Sequence, residues 1–157
     1  MKKITLNENS KLNYPTTFAA DQRQVLLTGE AYFEVESNPN RPFEVQTEKA
    51  SIKVLGTVFN VRSNPTEDMI KVNVEEGKVQ FSSTLVGKGV ILTAGEEGKF
   101  DLNTNQITET KVNHKNASAW KTKALTYKNA PLKKVMQDLA QHFKVKVTIT
   151  TIAMQDC

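Results

Sequence analysis

The chain has 157 residues, 38% of them apolar and 24% charged, with a net charge of +4. These values are ordinary for a soluble globular chain large enough to fold without a metal or a disulfide, as one domain or as one domain and a small second unit. Its one cysteine is the final residue, Cys157, which excludes an intrachain disulfide and a Cys-rich metal site. No apolar run approaches the roughly 18 residues of a membrane span, and "MKKITLNENS" has two lysines with no apolar stretch behind them, so it is not an intact signal peptide.

Charge is uneven along the chain. Residues 1–111 carry 13 Lys/Arg and 15 Asp/Glu, whereas residues 112–157 carry 8 Lys/Arg and 2 Asp/Glu. A near-neutral front and a basic tail imply two units with different surfaces, and an acidic partner for the second.

Up to residue 111 the chain reads as β throughout. Short alternating runs recur at 24–28, 31–35, 43–47, 50–55, 57–62, 69–74, 78–82, 89–92, 98–102 and 106–110. They are separated by "SNPNRP", "SNPTED", "EEG", "VGKGV", "TAGEEG" and "DLNTNQ". Strands this short and this regularly spaced predict an antiparallel sandwich, roll or barrel-like stack. An internal echo, "VLLTGEAYF" and "VNVEEGKVQF", places a glycine at a tight turn or bulge between paired strands. Residues 112–123 read as a polar joint. After them, residues 124–157 read as a small β-α-β unit: a strand at "ALTYK", a helix at "NAPLKKVMQDLAQHF" and a strand at "KVKVTIT". In the helix Asn129 suits the cap and Pro131 the first turn, and Leu132, Val135, Met136, Leu139 and Phe143 form one apolar stripe.

The residues that invite a catalytic reading are Glu30, Glu34 and Glu36. Strand alternation puts Ala31, Phe33 and Val35 on one face and Glu30, Tyr32, Glu34 and Glu36 on the other, the expected wet face. One face of one strand does not supply the opposed carboxylates of a glycosidase. Glu75–Glu76 and Glu96–Glu97 flank glycines and read as turn decoration, since adjacent strand residues point to opposite faces. His114 and His142 have no second ligand at metal-binding spacing, and no Gly-x-Ser-x-Gly or phosphate loop occurs. No catalytic residue, metal or cofactor is therefore expected.

The lysine-rich tail is the candidate binding surface. Lysines interleaved with Trp120, Tyr127 and Phe143 could hold single-stranded nucleic acid, but the tail has no arginine to fork onto phosphate or base. Docking of an acidic protein, or a merely solvated face, fits better. The candidate partner-binding residues are Lys133 and Lys134 on the helix and Lys144, Lys146, Thr148 and Thr150 on the last strand. That strand could accept a partner strand along its edge or lie wholly inside its own unit. A carbohydrate-binding β protein is the remaining alternative, and no aromatic platform supports it.

The stretch "VLLTGEAYFEVESNPNRPFEVQTEKASIKVLGTVFNVRS" resembles the core of FecR-type periplasmic regulators, the transmembrane anti-sigma factors. "L-x-G-E-A-Y-F-E-V", "RPF-x-V", "V-L-G-T-x-F-N-V" and "V-x-V-x-E-G-K-V" occur in the family's order, "ITLNENSKLNYP" resembles the preceding strand pair, and "AWKTKALTYKNAPLKKVMQDLAQHF" resembles the start of the C-terminal domain of the Bacteroidetes branch. The resemblance implies a periplasmic sensory region without membrane contact of its own, and a mainly β body followed at residues 124–157 by a partial β-α-β domain, since the family continues into a second β-α unit. It implies a signal received from the signalling domain of a TonB-dependent outer-membrane transducer. Contact with an extracytoplasmic-function sigma factor would be made only by a cytoplasmic segment that lies outside this sequence, beyond an inner-membrane anchor.

Overall fold

A computed structural model describes residues 2–112, 116–127, 130–143 and 146–147. The chain divides into two compact units, Met1–Val112 and Asn113–Cys157.

The first unit is one long sheet bent over on itself. Its strands are β1 (Lys3–Leu6), β2 (Lys11–Asn13), β3 (Arg23–Glu34), β4 (Phe43–Gln46), β5 (Ala50–Val54), β6 (Val58–Ser63), β7 (Met69–Glu76), β8 (Lys78–Ser83), β9 (Gly89–Thr93), β10 (Glu96–Asp101) and β11 (Gln106–Lys111). They follow the order β11-β10-β7-β6-β3-β4-β5-β8-β9, with β1 and β2 also paired to β3. The fold line is β3 itself. Its C-terminal half pairs with β1 and β6, and its N-terminal half with β2 and β4. Gly29 stands between the halves at φ +97°, a conformation costly for a residue with a Cβ. Gly77, at φ +87°, makes another crossing, where β7 of one half passes directly into β8 of the other. Both glycines of the sequence echo thus stand where the chain passes straight from a strand of one half into a strand of the other.

Two details correct the sequence reading. The runs 24–28 and 31–35 are one continuous twelve-residue strand, and the sheet is mixed, not purely antiparallel, because β3 and β4 run parallel. The bend explains both. Having crossed at Gly29, the chain leaves β3 in one half and must return to the other, so residues 35–42 form a crossover. Arg23 pins that crossover. It is 7% exposed, donates from Nε to the Arg41 carbonyl at 3.0 Å, reaches the Glu36 carbonyl at 3.4 Å, and lies 5.7 Å from the centre of the Phe43 ring.

Alternating residues of both halves meet in one core: Ala31, Phe33, Phe59, Val61, Val72 and Phe100 face Val25, Leu27, Phe43, Val45, Ile52, Val54, Val79, Phe81 and Leu92. Phe33 stacks on Phe59 at 5.0 Å and meets Phe43 at 6.0 Å, so one ring joins neighbours from both halves. Far from the fold line the halves close on Gly98, where a Cβ would stand 2.7 Å from Leu92 Cδ1 and 2.8 Å from Phe81 Cδ1.

In the second unit a short helix α1 (Ala119–Thr122) follows a single 3₁₀ turn and ends at Lys123 in the left-handed conformation, φ 57°. Helix α2 (Leu132–Phe143) has the expected apolar stripe, with Leu132, Val135, Met136 and Leu139 half-buried. The strand expected at residues 124–128 is not formed over its described part, 124–127. Thr126 N–H donates to the Asn116 side chain at 2.8 Å, not to a neighbouring strand. Asn129 and most of 144–151 lie outside the described residues; Lys146 and Val147 are exposed and carry no strand.

The closure at Gly98 predicts a coupled substitution pair. Gly98→Ala should cost about 1–3 kcal/mol by overpacking, and much less in a Leu92→Ala background. Urea unfolding of the double-mutant cycle checks this, and strictly additive costs would mean that the two positions do not meet.

Candidate partner-binding surface

The outward face of the β1-β3-β6-β7-β10-β11 half is polar and built in cross-strand rows. One row runs Thr5, Tyr32, Asn60, Asn73, Glu97, Thr110, and the next runs Glu30, Arg62, Lys71, Lys99, Thr108. Its centre is not wet, which corrects the expected solvent face. Glu30 and Tyr32 are each 7% exposed and Asn60 is 2% exposed, while Glu34 is half-buried and Glu36 alone of the three glutamates is open to solvent. Directly opposed strand residues lie about 5 Å apart, so Arg62 reaches across to Glu30, and Lys99 pairs with Glu97 in the neighbouring row.

Glu30 is saturated by this arrangement. Its Oε2 accepts from Asn7 Nδ2 at 2.8 Å and Arg62 Nη1 at 2.9 Å, and its Oε1 accepts from Asn60 Nδ2 at 2.9 Å. Arg62 also forks onto Glu67, whose carboxylate takes both Nε, at 2.9 Å, and Nη2. That pair holds the Glu67 carboxyl below its ordinary range. Tyr32 donates its hydroxyl to Glu75 Oε2 at 2.8 Å. Burial first, then this bond, pushes the phenol up, so Tyr32 stays neutral. Glu75 is therefore a structural acceptor and not turn decoration. Glu96 does serve its turn, taking the Thr93 N–H at 2.7 Å and its hydroxyl at 2.9 Å.

This geometry holds side chains still; it does not activate them. Among the described residues no group of three or more His, Cys, Asp or Glu could hold a metal ion. A recess of about 60 Å³ opens between Leu27, Ile70 and Leu102 under Glu48, Lys49 and Glu67. It is large enough for one or two waters, whereas small-molecule sites are usually about 300 Å³ or more. Among the described residues no helix is long and apolar enough to cross a membrane.

The candidate binding residues fare unevenly. Lys133 and Lys134 are exposed on α2, but Lys134 Nζ sits 2.5 Å from Asp138 Oδ1, an i,i+4 pair that spends part of its charge. Asp138 also accepts from the Tyr127 hydroxyl at 3.2 Å; burial and that neighbouring charge push Tyr127 up to about 12. Lys146 is exposed, and Lys144, Thr148 and Thr150 lie outside the described residues. Sequence reasoning passed over Asn7, Asn60, Arg62 and Asn73. The usable signal was the pair Asn60 and Asn73, since Asn is depleted in strand interiors.

Fold and polar face together define a mainly β protein, and comparison with known proteins gives its family. The FecR protein family profile matches residues 2–80. Two crystal structures from Parabacteroides distasonis ATCC 8503, each described as that of a candidate anti-sigma factor, share the fold. One superposes with a TM-score of 0.74 at 28% identity, over 98% of this chain and 72% of that one. The other gives 0.73 at 29% identity, over 88% of this chain and 64% of that one. A comparison with curated proteins returns no match. The chain belongs to the FecR family, a regulatory and not an enzymatic class.

The network makes two outcomes measurable. Arg62→Ala leaves Glu30 buried without its cation and should cost about 3 kcal/mol in urea unfolding; a loss below about 0.5 kcal/mol would show the pair to be ornamental. Glu67, with its folded value depressed by Arg62, contributes stability that is complete above the unfolded carboxylate value and disappears as pH falls through the folded one. The acid limb of the stability curve should therefore flatten in Glu67→Gln; an unchanged limb would place the acid sensitivity elsewhere.

Proposed function

We propose that this chain is the periplasmic signal-relay region of a FecR-type anti-sigma regulator. It works by protein–protein contact and without catalysis or a cofactor. In this reading it receives a signal from the signalling domain of a TonB-dependent outer-membrane transducer. It passes that signal to an extracytoplasmic-function sigma factor through a membrane anchor and a cytoplasmic segment outside this sequence. The observation that carries the reading is family membership, supported by two anti-sigma-factor candidates alike over most of this chain. The chain spans 72% and 64% of those two proteins, which leaves room in such a protein for further segments.

Within this reading the units divide the work. The β body, residues 1–111, is the rigid frame. The tail beyond the joint at 112–123 carries the basic docking surface, with Lys133, Lys134, Lys144 and Lys146 meeting an acidic partner and Thr148 and Thr150 contributing contacts beside them. The charge division supports this assignment, because the tail holds 8 of the 21 Lys/Arg and only 2 of the 17 Asp/Glu.

The test is calorimetric titration with the purified signalling domain of the transducer encoded beside it, at two salt concentrations. Saturable one-to-one binding that weakens with salt is expected. Lys133→Glu combined with Lys146→Glu should lower affinity about tenfold or more by replacing attraction with repulsion. Lys146→Pro should weaken binding without unfolding the body. No binding by a folded sample, or binding indifferent to all three substitutions, would overturn the assignment of the docking surface to the tail.

A further inference from the structure

The polar network that saturates Glu30 has a second consequence, at the N-terminus. Strands β1 and β2 form an arm laid across the fold line. β1 pairs with the half of β3 beyond Gly29, β2 with the half before it. Of the described residues, none from Lys2 to Gln22 is buried; the first that is buried is Arg23. The arm reaches the core only through the half-buried Ile4 and Leu12, and the linker behind it only through Phe18. Every fully buried residue of the main core therefore lies outside the arm. By the usual criteria for local stability, such a segment opens well before the body does.

What fastens the arm is polar and converges on Glu30. Asn7 N–H donates to the Glu30 carbonyl at 2.9 Å, Asn7 Nδ2 donates to its carboxylate at 2.8 Å, and Glu30 N–H donates to Ser10 Oγ at 2.8 Å. Ser10 fits because Gly29 has no side chain; a Cβ there would stand 2.5 Å from Ser10 Oγ. One defect opposes closure. The hydroxyl of Thr5, opposite Tyr32, is buried with no hydrogen-bond partner, and an unsatisfied buried group destabilises the state that buries it.

We propose that the β1–β2 arm is a detachable strap locked by the Glu30 network. Its release leaves the core intact and uncovers the backbone edge of β3 on both sides of the fold line. The carboxylate that takes Asn7 also takes Arg62 and Asn60 on β6. The strap is thereby coupled to the polar outward face, and a change at Arg62 or Glu67 reaches the arm through one shared group. The inference stands whichever partner the chain meets.

Native-state amide hydrogen exchange on the whole chain tests it. Arm amides, residues 3–13, should exchange about a hundredfold faster than those of β6 and β7, as a unit that opens below the global transition. Asn7→Ala with Ser10→Ala should speed arm exchange about tenfold further and leave β6 unchanged. Glu30→Gln keeps the volume but loses the charge that gathers the donors, and should speed the arm in the same way. Thr5→Val replaces the orphan hydroxyl by a methyl group and should slow the arm by several-fold; it also keeps the idea falsifiable if the loosening variants fail to fold. Arm and β6 amides exchanging at one rate, or every variant moving both together, would overturn the proposal.

Discussion

The structure depends on one strand belonging to both halves of a sheet. β3 is twelve residues long and changes partners at Gly29. Its odd-numbered residues Val25, Leu27, Ala31 and Phe33 face inward along the whole length, so a single strand lines both sides of the core. The parallel pairing with β4 follows, because the chain must cross back over the fold line. The buried Arg23 follows in turn, because the crossover backbone needs donors where no ladder supplies them.

The same strand organises the outward face. Glu30 and Tyr32 stand in cross-strand rows with Arg62, Asn60 and Asn73, and their side chains are bonded to Asn7, Asn60, Arg62 and Glu75. A fully connected polar network rigidifies what it joins. Here the Glu30 carboxylate joins the arm, β3 and β6, so the N-terminal segment and the polar face share one group.

Much of this was legible beforehand for a simple reason. A two-residue period survives in any strand with one buried face, and the strands from β3 to β11 lie where alternation placed them, allowing for the fusion of two runs into β3. The apolar stripe of α2 was legible from its 3.6-residue period. The family was legible because its motifs are strung along adjacent strands of the same fold. The glycine echo was visible too, although its meaning, a strand of one half running straight into a strand of the other, was not.

The sequence by itself determined the β body, the inward set, the one amphipathic helix and the uneven charge, because each of these is a local pattern. Only the tertiary structure decided which strands are neighbours, and that settled the rest. The register of β3 with β6 sets Glu30 opposite Arg62 and Tyr32 opposite Asn60, which turns an expected wet face into a buried network. Alternation states which side of a strand a residue faces. It does not state what stands about 5 Å away on the next strand, and burial on an outward face is decided there.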